Sequence, residues 1–258
     1  MPQGMSFVGR VALHERTSAG LQGIGFEVGN CPKLSIKAEP KSVERNESMT
    51  VARAPYRRMT QATMASVELV TDEFNKKNFA LAARARVDEV AADAGTTINH
   101  VFPSGVEVGS VLSVPKRNIN SLVVTDSTGS PKTLVVDVNY TVDLFSGRIR
   151  ILDLTTGGAY VQPFKAAFKQ GAVTVMAGLT VPDQEMWLTL AGQNTDNNGA
   201  PGVLDVYRLR LDPAQVVEYL TSEYNDFTLT GSALLDSTKL PNAVGGQIYS
   251  FALPADHE

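Results

Sequence analysis

The sequence has few of the residues from which many catalytic and metal sites are built. Its 258 residues include one cysteine, Cys31, and three histidines, His14, His100 and His257. One cysteine excludes an intrachain disulfide and suggests synthesis in a reducing compartment, and so few ligands argue against a zinc site. The signatures of serine hydrolases, zinc peptidases, P-loop NTPases and dithiol oxidoreductases are absent as well. We therefore expect a protein that is not an enzyme and uses no cofactor or metal.

Long apolar runs are also absent. No run approaches the roughly 18 residues that a bilayer-spanning helix needs, and residues 1–5 lack the charged and then apolar order of a signal peptide. The apolar fraction of 43% and the charged fraction of 19% are those of an ordinary globular protein. We expect no membrane insertion.

No part of the chain carries a strong excess of positive charge. Residues 35–86 hold ten Lys and Arg against six Asp and Glu, and residues 87–258 hold ten against nineteen. Stable binding to nucleic acid needs a face with concentrated Lys and Arg, and the charge balance of neither part indicates one. The acidic majority of the chain disfavours adhesion to DNA.

Short strand-like segments separated by Gly, Pro, Asn and Asp make up most of the chain. Apolar and polar residues alternate over 34–39 and again over 65–69, which is the period of a half-buried strand. Further strand patterns cover residues 173–181, 186–192 and 203–211. The sequence therefore predicts a mainly β fold, a β-sandwich or barrel.

One main helix is predicted over about 72–87. Phe74 and Leu81 lie on one face of it, and the alanine-rich second half would pack closely onto a sheet. Thr71 or Asp72 can cap its beginning.

A second, short helix is predicted over about 213–220. Asp212 can cap it, Pro213 suits the first helical position, and Gln215 at the third position can reach back to the cap. The strand pattern resumes after it, so the helix would be a brief interruption of the β fold.

The length of the chain fits one large domain. Residues 96–158 carry several strand patterns with turn signals between them, and they form either a β insertion or a continuation of the main sheets. We favour the insertion and predict a single domain over residues 1–258 that contains it.

A polar stretch over 41–58 separates two alternating segments, and its simplest interpretation is a long loop between two strands. It is either a solvated surface loop or an ordered interaction loop. We favour the second, because loops longer than about 12–15 residues in compact domains are often functional, and mixed Arg and Tyr are enriched at interfaces. The residues assigned to this function are Arg45, Glu47, Arg53, Tyr56, Arg57 and Arg58.

One pattern is similar to a calcium-binding loop. Asn194, Asp196 and Asn198 alternate before Gly199, and Asp205 follows at the twelfth position. An Asp stands where such loops have a bidentate Glu, and predicted strands flank the pattern where helices are expected. Asn-Gly is a strong turn signal in its own right, so the sequence favours a hairpin tip over a calcium site.

Three blocks of sequence, taken in order, carry a family resemblance. They are GRVALHER (9–16) with FEVGNCPKLSI (26–36), ASVELVTDEF (65–74) with NFALA (78–82), and LAGQNT (190–195) with VYRLRLDP (206–213). YTVD (140–143) and GRIRI (147–151) add to the set. Together these segments resemble the major tail tube proteins of siphophages, the bacteriophages with long non-contractile tails. Phe79 departs from the pattern, because a small or aliphatic residue is commoner there.

The resemblance implies a structural virion protein with a β-sandwich or barrel tail-tube fold. Subunits of that family form rings, typically hexameric, that stack helically about a lumen walled by β-hairpins from every subunit. The implied partners are other copies of the chain, a tape-measure protein, and tail terminator and distal tail proteins. Double-stranded DNA would pass through the lumen without specific binding. The implied location is the virion tail, after synthesis and assembly in the cytoplasm of the bacterial host.

Elementary physics is compatible with such a tube. Pairing in a ring hides the strand edges of a β-rich domain, and head-to-tail stacking that does not close gives a filament. A weakly charged or acidic wall suits the passage of DNA better than a basic one. The residues that we expect to face the lumen, on the polar sides of two alternating strands, are Lys37, Glu39, Ser66 and Glu68. The polar loop would then reach the neighbouring ring.

Two other functions stay open at this point. A secretion-system tube protein would have a similar fold, but its chains are usually shorter, and the segment 95–158 argues against it. A β-sandwich module that binds glycans or a host surface would need exposed, clustered aromatic side chains. The one tryptophan, Trp187, lies in a predicted strand where we expect it to be part of the core.

Overall fold

A computed structural model describes residues 4–49, 51–93, 95–242 and 244–254. The mainly β fold predicted from the sequence is confirmed, since these residues form sixteen strands and one helix. The elements are β1 (Phe7–Arg16), β2 (Gln22–Glu27), β3 (Lys33–Asn46), β4 (Pro55–Thr71), α1 (Lys76–Ala82), β5 (Arg86–Val90), β6 (Ile98–Val101), β7 (Val111–Ser113), β8 (Ile119–Thr125), β9 (Tyr140–Asp143), β10 (Arg148–Ile151), β11 (Lys165–Gln170), β12 (Val173–Ala177), β13 (Glu185–Asn194), β14 (Ala200–Leu211), β15 (Phe227–Ala233) and β16 (Tyr249–Ala252). The helix of the described residues is not long and apolar enough to cross a membrane.

The chain forms two compact units. Unit 1 comprises Met1–Arg86 and Ala177–Glu258, and unit 2 comprises Val87–Met176. The insertion predicted over about 96–158 lies inside the range of unit 2. Strands β5 and β12, through which the chain enters and leaves unit 2, pair with each other.

Unit 1 is built on one large antiparallel sheet with the strand order β2-β1-β13-β14-β15-β4-β3, to which β16 adds by pairing with β14. The sheet folds over on itself, because buried residues from its two halves share one core. Val11 and Leu188 come from the β1–β13 half, and Val67, Leu69 and Leu229 come from the β4–β15 half. Because apolar and polar side chains alternate along the strands, each half of the sheet buries one face against the other half, as in a β-sandwich.

The β3–β4 register fixes which side chains enter this core. Leu34 pairs with Leu69, and Ile36 pairs with Val67. Directly paired residues of antiparallel strands share a face, so all four point into the core. The face opposite to them is called here the outer face.

Helix α1 is shorter than predicted. It covers Lys76–Ala82 in place of about 72–87, and its N-cap is Asn75, whose side chain accepts hydrogen bonds from the amides of Lys77 and Asn78. Thr71 cannot cap it because β4 extends through that residue, where it pairs with Phe227. The C-cap residue is Ala83, after which Arg84 adopts a left-handed φ of 44°.

The prediction of a short helix over about 213–220 is wrong. The chain there is irregular between β14 and β15. The amide of Asp212 donates to Thr230 O, and that of Ala214 donates to Ala82 O, at 2.8 Å each. These tertiary hydrogen bonds hold the first residues of the segment against β15 and α1, and they override the local helix-start signals.

Unit 2 packs two three-stranded sheets, β7-β10-β9 and β6-β11-β8, with a core that includes Tyr140, Ile149, Phe164 and Phe168. Residues 133–138 form no strand; Thr133 and Val136 form isolated bridges there, with Thr125 and Tyr140 respectively. Buried polar side chains organise the irregular segments between the strands. The side chain of Asn139, for example, accepts a hydrogen bond from Val135 N through Oδ1 and donates through Nδ2 to the carbonyls of Asp153 and Thr156.

Asp126 is the buried carboxylate of unit 2. Burial alone would raise its pKa, but hydrogen bonds from Lys132 N, Thr128 Oγ1, Val161 N and Thr128 N lower the pKa from 3.8 to about 2. The carboxylate thereby closes the turn that follows β8.

The first prediction concerns Asn78, whose buried side chain donates to Val28 O at 2.7 Å and to Glu73 O at 2.9 Å. Replacing Asn78 by Ala leaves both carbonyls without this donor, so the free energy of unfolding should fall by about 2 kcal/mol. Urea unfolding measures the change. Asn46→Ala, at an exposed position of β3, is the control and should stay within about 0.5 kcal/mol of the original protein. Equal urea midpoints for Asn78→Ala and the original protein would show that the two hydrogen bonds of Asn78 do not stabilise the fold.

The second prediction concerns pH. Because the pKa of Asp126 is lower in the folded chain than its ordinary value of 3.8, its ionised form stabilises unit 2 at higher pH, and this stability is lost as the pH falls from about 4 towards 2. Asp126→Asn should lower the melting temperature at pH 6. Between pH 6 and pH 2.5 the melting temperature of this variant should fall less steeply than that of the original protein. Asp137→Asn, at an exposed left-handed position that suits Asn, should retain the original decline. Parallel curves for all three proteins would contradict the assignment.

Candidate assembly surface

The β3–β4 hairpin extends well beyond the core of unit 1. Past the pair Glu39–Met64, the strands continue to be paired as far as Asn46 and Pro55. This extension, residues 40–63, is called here the arm. Seven residues of β3 lie in it, which corresponds to roughly 23 Å of strand. None of the described side chains of the arm belongs to the core cluster of unit 1, and almost all of them are exposed.

Both faces of the arm carry exposed apolar side chains. On the continuation of the outer face, Val43 and Met59 form a pair and are 48% and 62% exposed. Tyr56, on the strand, and Met49 and Val51, at the tip, are exposed by 62% or more. An isolated two-stranded hairpin is marginally stable in water. An arm of this length with uncovered apolar residues on both sides is thus suited to packing against another chain.

The charges of the arm are unevenly compensated. Arg58 lies 3.7 Å from the carboxylate of Glu44, its direct partner across the strands. Arg45 pairs directly with Arg57, which places like charges side by side and destabilises the hairpin. Within the described part of the chain neither guanidinium forms an ion pair, although that of Arg57 lies 5.4 Å from the centre of the Tyr56 ring. This arginine pair would be stabilised by an anionic partner.

The long loop predicted over 41–58 is wrong in its conformation. Arg45 belongs to β3, and Tyr56, Arg57 and Arg58 belong to β4; of the six predicted stacking residues, Glu47 and Arg53 are at the tip. A hydrogen bond of 2.9 Å from Glu47 N to Ala54 O closes that tip. The structure thus brings the predicted residues together on one projecting hairpin. The sequence concealed these strands because neither face of the arm is buried, so no apolar alternation marks them.

The four residues predicted to face the lumen lie on the outer face. Lys37 pairs with Ser66, and Glu39 and Glu68 lie on the same side of their strands. The charges there are locally offset, with Lys37 Nζ 2.8 Å from Glu39 and Lys33 Nζ 2.8 Å from Glu68. The outer face of this part of the sheet is therefore weakly charged.

The sheet of unit 1 ends in two open edges. Strand β3 lies at one end and β2 at the other, and within the described residues neither has a partner on its outer side. The edge of β3 is fourteen residues long. Edges of this length are templates for pairing with another chain. A groove of about 960 Å³ lies beside β3, and its lining includes the apolar residues Leu34, Ile36 and Phe251 as well as the charged residues Arg10 and Lys33.

Trp187 does not lie in the core, contrary to the sequence-based expectation. Its neighbours Met186 and Leu188 are buried, so the indole of Trp187 lies on the opposite face of β13. There it donates a hydrogen bond of 3.0 Å to Asp205, and its ring is 5.0 Å from that of Tyr207. The half-buried indole is thus fixed by contacts with Asp205 and Tyr207 of the same chain.

The hairpin tip predicted at Asn194–Gly199 is confirmed as the connection between β13 and β14. Asp196 accepts a hydrogen bond from the amide of Gly4, whereas Asp205 lies inside β14 and binds Trp187. The oxygen atoms of the calcium-like pattern are therefore not gathered in one loop. In the described ranges no three His, Cys, Asp or Glu side chains form a group that could hold a metal.

Cys31 is half-buried, as expected of a structural thiol. Burial raises its pKa, and its Sγ lies 3.3 Å from Lys33 O, to which it donates. A thiol with a raised pKa has less of the reactive thiolate.

No curated protein matches the chain. The model of one protein family, described as "Protein of unknown function UCP028589", matches residues 4–249. This match spans both units and includes the arm, so the chain belongs to the family UCP028589.

Proposed function

We propose that this protein is a structural subunit that polymerises into stacked rings and forms the tail tube of a siphophage, the conduit for DNA delivery into the host. The observation that carries the proposal is the arm, a long hairpin with exposed apolar side chains, in which Arg45 and Arg57 form no ion pair with any described residue. A subunit that works alone would have to keep this hairpin in water with its own cross-strand contacts alone.

The open edges of unit 1 support ring formation. A sheet with free edges at β2 and β3 can continue from one copy into the next. Such a contact joins different surfaces of two copies, and it gives a closed ring when the rotation between copies closes. Rings of this kind, hexameric in the family that the sequence resembles, would cover the β3 edge and the groove beside it.

The weakly charged outer face supports a DNA conduit. If it faces the lumen, the Lys–Glu pairs at Lys33 and Lys37 leave few free positive charges to hold the phosphate backbone. Strand β15 adds two hydroxyl residues to this face, since Thr230 and Ser232 are the cross-strand partners of Glu68 and Ser66. DNA would then pass without specific binding.

The remaining partners follow from the same proposal. A tube of fixed length needs a tape-measure protein inside it, and its two ends meet a tail terminator and distal tail proteins. Assembly would take place in the cytoplasm of the bacterial host, and the product would lie in the virion tail.

The third prediction removes the outer part of the arm, residues 46–56. Because Arg45 and Arg57 are directly paired, residues 46–56 can be replaced by Asn-Gly, the preferred turn of a two-residue hairpin. The core pairs below the arm stay in place, so the variant should keep its circular dichroism spectrum and its melting temperature to within a few degrees. It should sediment as a monomer under conditions in which the original protein forms tubes.

A matched control keeps the length and register of the arm. Thr60→Ser with Gln61→Asn changes two exposed side chains of β4 conservatively and should assemble normally. Tubes of normal appearance from the 46–56 replacement would refute the assignment of the arm.

A further inference from the structure

A second uncompensated surface of unit 1 lies between β14 and β15. Residues 212–226, called here the acidic segment, contain four acidic residues, and no Lys or Arg occurs between Arg210 and Lys239. No ion pair involves these acidic side chains among the residues that the structure describes. They are Asp212, Glu218, Glu223 and Asp226.

Large apolar side chains accompany these charges. Val216 and Tyr219 are 66% and 76% exposed, and Leu220 and Tyr224 are almost fully exposed. A cleft of about 470 Å³ lies beside them, lined by Glu218, Glu223, Tyr224, Asp226, Thr228 and Thr230. Exposed aromatic residues beside unpaired charges are typical of a contact surface.

The acidic segment is fixed to the body of unit 1. Ala214 N donates to Ala82 O at 2.8 Å, and the ring of Tyr219 lies 6.2 Å from that of Phe79 on α1. Within the segment, the side chain of Asn225 donates to Glu218 O. The surface is thus present before any partner arrives, which lowers the entropy cost of binding.

The arm has the complementary composition. Arg45, Arg53 and Arg57 supply positive charge that forms no ion pair within the described residues, and Met49 and Val51 supply exposed apolar surface at the tip. Arginine and methionine are both enriched at protein interfaces. Each surface therefore offers what the other lacks.

The two surfaces lie at opposite ends of one strand. Phe227, which follows the acidic segment, pairs with Thr71 at the end of β4, whereas the arm contains the beginning of β4 at Pro55. The sixteen residue steps between Pro55 and Thr71 correspond to roughly 50 Å. The arm therefore cannot reach the acidic segment of its own chain but can reach that of a second copy. A contact of this kind joins two different surfaces, so it can repeat from copy to copy, and it gives an open filament when the rotation between copies does not close.

We infer that the acidic segment is the docking site for the arm of another copy of this chain, and that this contact joins successive rings. The inference rests on the proposed function and specifies the surface on which the arm acts. Carboxylates would bind the Arg45–Arg57 pair, and the exposed aromatic residues would cover the tip of the arm. A nucleic acid is a poorer occupant, because the carboxylates of the segment repel phosphates.

The fourth prediction tests this inference by reversing charges. One variant carries Arg45→Glu with Arg57→Glu, and the other carries Glu218→Lys with Glu223→Lys. Each should raise the concentration needed for assembly by at least about tenfold, because like charges then meet at the contact. Circular dichroism and melting temperature check that each variant is folded, and sedimentation with electron microscopy measures assembly.

Mixing the two variants gives the decisive result. The reversed arm of the first variant complements the reversed segment of the second, and the unchanged surfaces complement each other as well. An equimolar mixture should therefore assemble at a concentration within about threefold of the original protein, although neither variant assembles alone. A control with the same charge change as the segment variant, Glu15→Lys with Glu107→Lys at exposed positions, should assemble normally.

Three outcomes overturn the inference. They are normal assembly of the segment variant, no recovery in the mixture, and equal loss of assembly in the control. In each case the proposed function stands as long as the original protein forms tubes and the 46–56 replacement does not. If the original protein forms no tubes, the proposed function itself fails.

Discussion

The β3–β4 register is the constraint on which the rest of unit 1 depends. It starts in the core, where Leu34 and Leu69 are paired, and the same ladder continues into solvent as the arm. Since side chains alternate along β3, the core pairs fix which β3 residues appear on each face of the arm, whereas on β4 the register shift between Lys41 and Ser42 brings Met59 opposite Val43. The core thereby determines that Val43 and Arg45 continue the outer face. One ladder supplies both the stability of the subunit and the geometry of its proposed contacts.

Charge compensation differs between the body and the projecting parts of unit 1. On the outer face, Lys33 and Lys37 each meet a glutamate of the same chain. The arginine pair of the arm and the carboxylates of the acidic segment have no such partner in the described structure. Surface ion pairs stabilise a fold little, so these unpaired charges cost the free subunit little. Their value would lie in recognition between copies, where complementary charges select the partner and the register.

Much of the core was predictable, and the projecting parts were not. The alternation around Ile36 and Val67 identified two strands, because one face of each is buried. The arm was interpreted as a loop because burial, the source of alternation, ends at its base. The helix predictions were wrong in part for another reason. The main helix is present but begins later than predicted, because β4 extends to Thr71. The second helix is absent, because tertiary hydrogen bonds hold Asp212 and Ala214 outside a helix. Local signals were present in each case, but contacts with distant residues decided the conformation.

A tube-forming subunit accounts for the arm, the open sheet edges and the neutral outer face together, whereas a protein that works as a monomer leaves all three without a purpose. Negative-stain electron microscopy of the purified, concentrated protein tests this most directly. The account predicts rings or hollow tubes with a regular axial repeat. Monodisperse particles of single-subunit size at every concentration and ionic strength would contradict it.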